Sequence, residues 1–517
     1  MTTPTTPANP PAPAVTPYRS QLASARAGFP QLLRAEWTKL RTVSRWGATL
    51  LAAVVVTVLV SLLSAYSGSS SFSGNRSAPP VGPDGTVVSD NFPFVHQPLT
   101  GDGSITARVS PFTGREGSIA PWAKAGIMIK ESTKPGAPYV AAMITQGHGV
   151  RLQSNFTHDI AGGATNDDEP HWLRLTRSGD ELTAYESADG KDWNKVGTAK
   201  LTGLPRTAQA GLFVATPGQV RVERQFGSTS VGSEPAEVTA SFDHLTVDGG
   251  QGGWLQDDIG EVLPEGSEET QGATEKSTEK SGTWTLTGSG DIGPFTPETD
   301  LTQQSLSGAQ IGLIPLAALG VLFITAEYRR GMIRTTLTAS PRRGRVLAAK
   351  AVVLAGAAFV AGLVAAVLSF LLSEPALREK APNPLFHPEA ALTDGPVLQA
   401  VVGTAVLLAA VAVLALAAGA LLRNTAAAIT LIVILLVLPV LLLSGLPLDT
   451  ANWVMKLTPL AGFAVQRTLP EYAHTDDICL PEDGCYPQGP WTGLAVLCAY
   501  AALALGLAIW RLRRRDV

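Results

Sequence analysis

Cysteine is nearly absent from this chain: three among 517 residues. That excludes a disulfide-dense secreted scaffold and a thiolate-rich metal centre. Histidine is scarce too, at seven, and His148, His158 and His171 fall at no metal-ligand spacing. Charged residues make up only 16% and the net charge is −4, a total that averages unlike parts of the chain; no nucleic-acid partner is expected. The pattern GxxxxGK[ST] does not occur; Gly190–Lys191 is followed by Asp192. The chain therefore lacks a phosphate-binding loop, and any nucleotide energy must come from a partner. No GxSxG nucleophile elbow is present. Gly288–Gly293 matches GxGxxG but leads into Pro294 and Pro297 instead of a helix, so these glycines read as turn chemistry.

What is abundant is apolar sequence. Six runs, near Trp46–Ala65, Leu306–Thr325, Val346–Leu372, Val397–Leu422, Thr425–Leu443 and Thr492–Trp510, reach the roughly 20 residues that cross a bilayer core. The segments assigned to the inside hold 18 Lys and Arg, against four in the two later outer loops. This bias places both termini in the cytoplasm of a multi-pass plasma-membrane protein. Four parts follow: a disordered cytoplasmic tail over 1–28, an interfacial helix and first span over 29–66, an extracytoplasmic insert over 67–305, and five further spans over 306–517. Met1–Gly28 starts too far from an apolar run to be a secretory signal. Phe29–Arg45 carries Phe29, Leu32, Leu33, Trp37 and Leu40 at helical spacing with cationic neighbours, as an amphipathic helix on the inner leaflet would. The alternative is a continuation of the first span.

Glu327–Lys350, EYRRGMIRTTLTASPRRGRVLAAK, joins two spans and holds seven basic residues. The positive-inside rule accounts for the arginines. It does not account for Gly331, placed to end one helix, or for Ser340–Pro341, placed to start the next. Between them Met332–Ala339 forms a short connector with Ile333 and Leu337 on one face.

The insert from Tyr66 to Gly308 is acidic, with 30 Asp and Glu against 17 Lys and Arg. Strand-like pieces recur at Ser104–Val109, Ala125–Lys130, Tyr139–Gln146, His171–Arg177, Leu182–Ser187, Ala210–Ala215 and Ala240–Val247. Turn residues separate them, and the pattern predicts an antiparallel all-β sandwich. Trp122, Trp172 and Trp193 suit sugar stacking, but core or edge packing is the commoner use. Leu448–Leu469 is broken by Pro447 and Pro459 and predicts helical segments at the outer interface. Cys479 and Cys485 flank a short outer loop and can pair; Cys498 sits in an apolar run as a packing residue.

At this point a family is legible. Glu327–Lys350 resembles the cytoplasmic loop of type 2 ATP-binding-cassette (ABC) exporter permeases, where an acidic-aromatic-basic-Gly start leads to Ser-Pro-Arg-Arg and a Lys opening the next helix. Glu36-Trp37-Thr38-Lys39-Leu40-Arg41 resembles that family's elbow helix, and Arg423-Asn424 fits its tight turn. The resemblance covers about Phe29–Ala65 and Leu306–Val517. It implies a permease subunit that is not itself an enzyme and has no cofactor of its own, with ATP held by a partner ATP-binding subunit. It also implies pairing with a second permease or as a homodimer. Its coupling loop would be Glu327, Arg329, Arg330, Gly331, Met332, Ile333, Arg334, Leu337, Pro341 and Arg342. Met332–Ala339 would touch the ATPase, and Glu327 with Arg329 and Arg330 would fix the loop's orientation. Glu36, Trp37 and Lys39 mark the elbow.

The insert departs from that pattern. Gly101–Arg108, Trp172–Leu175 and Ser187–Gly190 resemble laminin-G-like, concanavalin-A-like jelly rolls, some of which bind carbohydrate; no binding residue can be matched here. Asp258–Gly260 and Gly282–Ile292 resemble the opening strands of such a module yet follow its body. They read as a permuted sandwich in which Thr283–Thr287 pairs back, or as a truncated second copy. The competing function is a membrane-anchored carbohydrate sensor or adhesion protein, whose glycan ligand the insert would hold.

Overall fold

The computed structural model describes residues 28–67, 79–114, 119–166, 168–225, 228–234, 236–260, 277–297, 299–329, 342–381, 387, 389–443, 445–475, 479–480 and 484–514. Six helices among these are long and apolar enough to cross a membrane. Each of the six apolar runs became one of them.

Helix α1 (Phe29–Thr42) is separate from α2 (Ser44–Ser67). Pro30 opens α1, and Val43 in extended conformation (φ −90°, ψ 100°) breaks the chain between the two. The short α3 (Leu301–Ser305) is capped by Asp300, whose side chain accepts from the Gln303 amide. The remaining long helices are α4 (Ala309–Arg329), α5 (Arg343–Lys380), α6 (Gly395–Leu422), α7 (Thr425–Leu443) and, after α8 (Leu448–Leu457), α9 (Pro490–Arg514). Helix α6 is the most enclosed. Small residues set the spacing: a Cβ on Gly320 of α4 would stand 2.4 Å from the Ala412 carbonyl of α6. Arg423 takes the left-handed conformation (φ 56°) that lets α6 turn straight into α7.

Pro459–Gln466 is a 3-10 segment, and every residue in it is buried. It wedges between α6 and α9, with Val465 against Gly403 and Gly462 against Leu497. The expected helical pieces are present, but this one penetrates the bundle instead of lying at its outer surface. Gly462, Ala461 and Ala464 allow the close approach, and Leu460 and Phe463 fill the space beside them. Cys479 and Cys485 are joined by a disulfide, with Cα atoms 5.2 Å apart. Cys498 lies on the exposed face of α9, not in the packing.

The β domain is built on one 18-residue strand, Phe92–Val109, which serves two layers. Its first half pairs with Thr207–Ala215 and Leu255–Ile259, its second with His171–Ser178 and Val238–Gly250. The change of layer falls at Gly101–Gly103, where Gly101 has φ 76° and a Cβ on Gly103 would lie 2.2 Å from the Asp248 carbonyl. Val95, Leu99, Ile105, Ile127, Leu175, Leu212 and Phe242 fill the space between layers. A second cluster, with Phe92, Phe94, Met128, Tyr139, Phe156 and Ile292, buries the other face of the first layer. Lys124–Lys130 is therefore covered on both sides. All seven expected strands are present. Thr283–Gly288 pairs antiparallel with Val238–Phe242, and Trp284 sits opposite Phe242, so this late segment does complete the body. Within Gly288–Gly293, Gly288 ends one strand, Gly290 (φ 89°) bridges to Thr216, and Ile292 opens the strand Ile292–Pro294, paired with Val88–Asp90.

Trp122 is buried and stacks on His148 with ring centroids 4.0 Å apart. Trp193 packs under Arg174 and Trp172 near Arg108. These are packing roles. No group of three or more His, Cys, Asp or Glu among the described residues forms a metal site.

Candidate functional site

Helix α1 presents Glu36 and Leu40, one turn apart, to the bundle and buries both. Trp37 points away and is 51% exposed. An acid turned inward must find cations, and it finds two. Lys350, in the second turn of α5, has a side chain with no exposed surface. Its Nζ lies 2.6 Å from Glu36 Oε2 and 2.8 Å from Glu327 Oε1, near the end of α4. Lys39 Nζ closes the ring, 2.7 Å from Glu36 Oε1 and 3.1 Å from Glu327 Oε1. Two acids and two ammonium groups thus neutralise one another across three helices. Burial pulls the Lys39 ammonium down, but bonding to Glu36 and the charges of Glu36 and Glu327 outweigh it, so its pKa lies above the usual 10.5.

The packing around the knot is aromatic. Lys350 Nζ stands 4.5 Å above the Phe323 ring, and Phe323 meets Trp46 of α2 edge-on at 4.8 Å. Glu327 Oε2 is buried and has no hydrogen-bond partner among the described residues. All the attachment is made through Oε1, and this knot joins α1, α4 and α5 at the two ends of the basic loop.

Of the residues singled out from sequence, Glu36, Lys39 and Glu327 converge here. The partners of Glu327 are Lys39 and Lys350, while Arg329, at the end of α4, is exposed. Long arginines at a helix end reach solvent more cheaply than a buried acid. Arg342 is exposed and immediately precedes α5. Arg330, Gly331, Met332, Ile333, Arg334, Leu337 and Pro341 lie outside the described residues, as does Ser340. The sequence motif marks Lys350 only as the lysine opening the helix. Its signal was available: one lysine four residues into a run of aliphatic sequence needs a buried counter-charge.

The opposite end of the bundle grips the β domain. Asp300 accepts from the Thr468 amide and hydroxyl at 2.6 and 2.8 Å. His474 Nε2 lies 2.8 Å from the Phe156 carbonyl, on a turn where Asn155 and Phe156 both take positive φ. The segment 445–475 therefore touches the bundle core, the start of α3 and the β domain.

No protein-family profile matches the chain, and no curated protein does either. Some solved structures resemble part of it. A protein of unknown function from Saccharomyces cerevisiae shares 18% identity over 30% of this chain and 74% of its own, at a TM-score of 0.21. A peptidase of the eqolisin family, solved with a tripeptide, shares 9% over 39% of this chain and 99% of its own, at 0.24. A GH43 protein from Bacillus licheniformis shares 16% over 29% and 27%, at 0.20. Likenesses this faint carry no functional argument.

Proposed function

We propose that the chain is the membrane-spanning permease subunit of an ABC exporter, driven by a separate ATP-binding subunit and paired with a second permease. In this reading the protein lies in the plasma membrane with the basic loop and both termini in the cytoplasm. The laminin-G-like insert lies outside. The observation that carries it is the buried knot of Glu36, Lys39, Glu327 and Lys350. A soluble partner pressing on Met332–Ala339 pushes on α4 and α5 at once, and the knot makes α1 move with them. A protein whose helices only anchored an outer domain would have no use for buried charge there, because removing charge from water is costly. Four ionisable side chains would be an expensive anchor; as a coupling they give three helices one shared, directional attachment.

The test is affinity purification of the detergent-solubilised chain from its native membrane. A co-purifying P-loop ATPase, lost when Met332–Ala339 is replaced by a Gly/Ser segment, supports the reading. A chain that comes down alone, with an insert that binds glycans, would move the sensor or adhesion reading ahead.

A further inference from the structure

The strand Lys124–Lys130 turns two lysines toward the second buried cluster of the β domain. They are not equivalent. Lys124 pairs at 2.7 Å with Asp291, whose side chain is 28% exposed. Lys130 pairs at 2.8 Å with Asp90, and neither side chain has any exposed surface. Tyr139 and Phe156 stand over Lys130, each ring centre 5.4 Å from Nζ. Asp90 Oδ2 also accepts from the Gly136 amide at 2.7 Å, and Lys130 Nζ also donates to the Ala137 carbonyl at 3.1 Å. Asp90 Oδ1 is buried, and no donor among the described residues reaches it. A bare carboxylate oxygen in a dry site is costly.

We propose that Lys130 and Asp90 condense into an intramolecular isopeptide bond. The amine lone pair of Nζ attacks Cγ of the protonated Asp90 carboxyl. Developing charge collects on Oδ2, where the Gly136 amide already donates. The Cγ–Oδ1 bond breaks, and Oδ1 departs as water with its own proton and one from the attacking nitrogen. The second proton of the neutral amine stays. No oxidant, reductant or cofactor takes part. Burial favours the reactive forms, because it raises the Asp90 carboxyl and lowers the Lys130 ammonium.

The product explains the arrangement better than the ion pair does. The new carbonyl, Oδ2, keeps the Gly136 amide. The remaining N–H keeps the Ala137 carbonyl. The oxygen without a partner is the one that leaves, so every polar atom of the amide is satisfied. The bond would also tie down Val88–Asp90, the entry strand of the domain, which pairs with the exit strand Ile292–Pro294.

Intact-mass spectrometry of the reduced, detergent-purified full chain decides the matter. The wild type is expected about 18 Da below its sequence mass, one water lost. A tryptic digest should hold a branched peptide, uncleaved after Lys130 and joined to the peptide bearing Asp90. Lys130→Arg keeps a cation but cannot form this bond, and should recover the full mass. Asp90→Asn would lose ammonia in place of water, a deficit of about 17 Da. A wild-type chain at its sequence mass, or a deficit that persists in Lys130→Arg, overturns the proposal.

Discussion

Replacing Lys350 with Met removes the cation that sits between Glu36 and Glu327 and leaves two carboxylates facing each other. Both are almost fully buried, with side chains 3% and 5% exposed, and Glu327 already has one oxygen without a partner among the described residues. Breaking a buried ion pair from one side costs about 3–5 kcal/mol, because the surviving charge is stranded. Lys39 touches the same two acids, but its side chain is 37% exposed. Water screens it, so Lys39→Met should cost no more than about 1 kcal/mol. The expected ordering is therefore Lys350 far above Lys39 despite their shared partners. Denaturant unfolding in detergent would measure both, and hydrogen–deuterium exchange over Phe29–Thr42 would report whether α1 comes loose. Combining Lys350→Met with Glu36→Gln and Glu327→Gln should restore much of the loss, since a neutral pocket of similar volume is tolerated. Equal costs for the two lysines, or no rescue in the triple variant, would refute the claim that desolvated charge holds the helices together.

Burial holds the His474 imidazole below its usual 6.5, against smaller opposing contributions from the Phe156 carbonyl and Asp159. The docked state thus prefers the neutral ring. Docking is unaffected above pH 6.5 and weakens as pH falls below it, levelling off below the docked pKa, with tenfold weakening per unit of depression. Exchange at Asn155–Thr157, corrected for intrinsic rate, should rise at low pH in the wild type and stay flat in His474→Gln. Gly320→Ala should cost about 1–3 kcal/mol because a backbone carbonyl blocks the new methyl. Gly356→Ala, with open space around it, should be neutral or slightly stabilising in the same thermal melt. Reducing Cys479–Cys485, which closes a loop of six-residue separation, should cost about 2 kcal/mol and loosen 484–489 before the bundle melts.

The apolar runs were legible because a helix that meets lipid has no other way to satisfy its backbone. Their ends were less so. The apolar part of α5 stops near Leu372, yet the helix continues to Lys380, because Glu374, Arg378 and Lys380 are good helix formers once the constraint of the bilayer is gone. The seven strands marked in the sequence are all present, but Gly149–Ser154, with Val150 and Leu152 buried, and Gln219–Gln225 are strands that were not among them. Asn194–Lys200 was missed, being polar and mostly exposed, with few large apolar side chains to mark an inner face. The first half of Phe92–Val109 was obscured by Pro93 and Pro98. At the knot, Glu36 and Glu327 could be marked as notable only by motif. Nothing local in either segment says that they share one lysine, because that contact is set by how three helices pack.

At about 1.5 Å per residue, the 38 residues of α5 make a rod of about 57 Å. That is nearly twice the roughly 30 Å of a bilayer's hydrocarbon layer. One end carries Lys350 and the charge knot; the other carries Lys380, whose Nζ bonds the Tyr66 carbonyl at 2.6 Å, where α2 ends and the chain leaves for the β domain. A single helix thus works as a stanchion: its length fixes how far the entry to the β domain stands from the charge knot. Pro375, five residues from the far end, is where that stanchion would bend first.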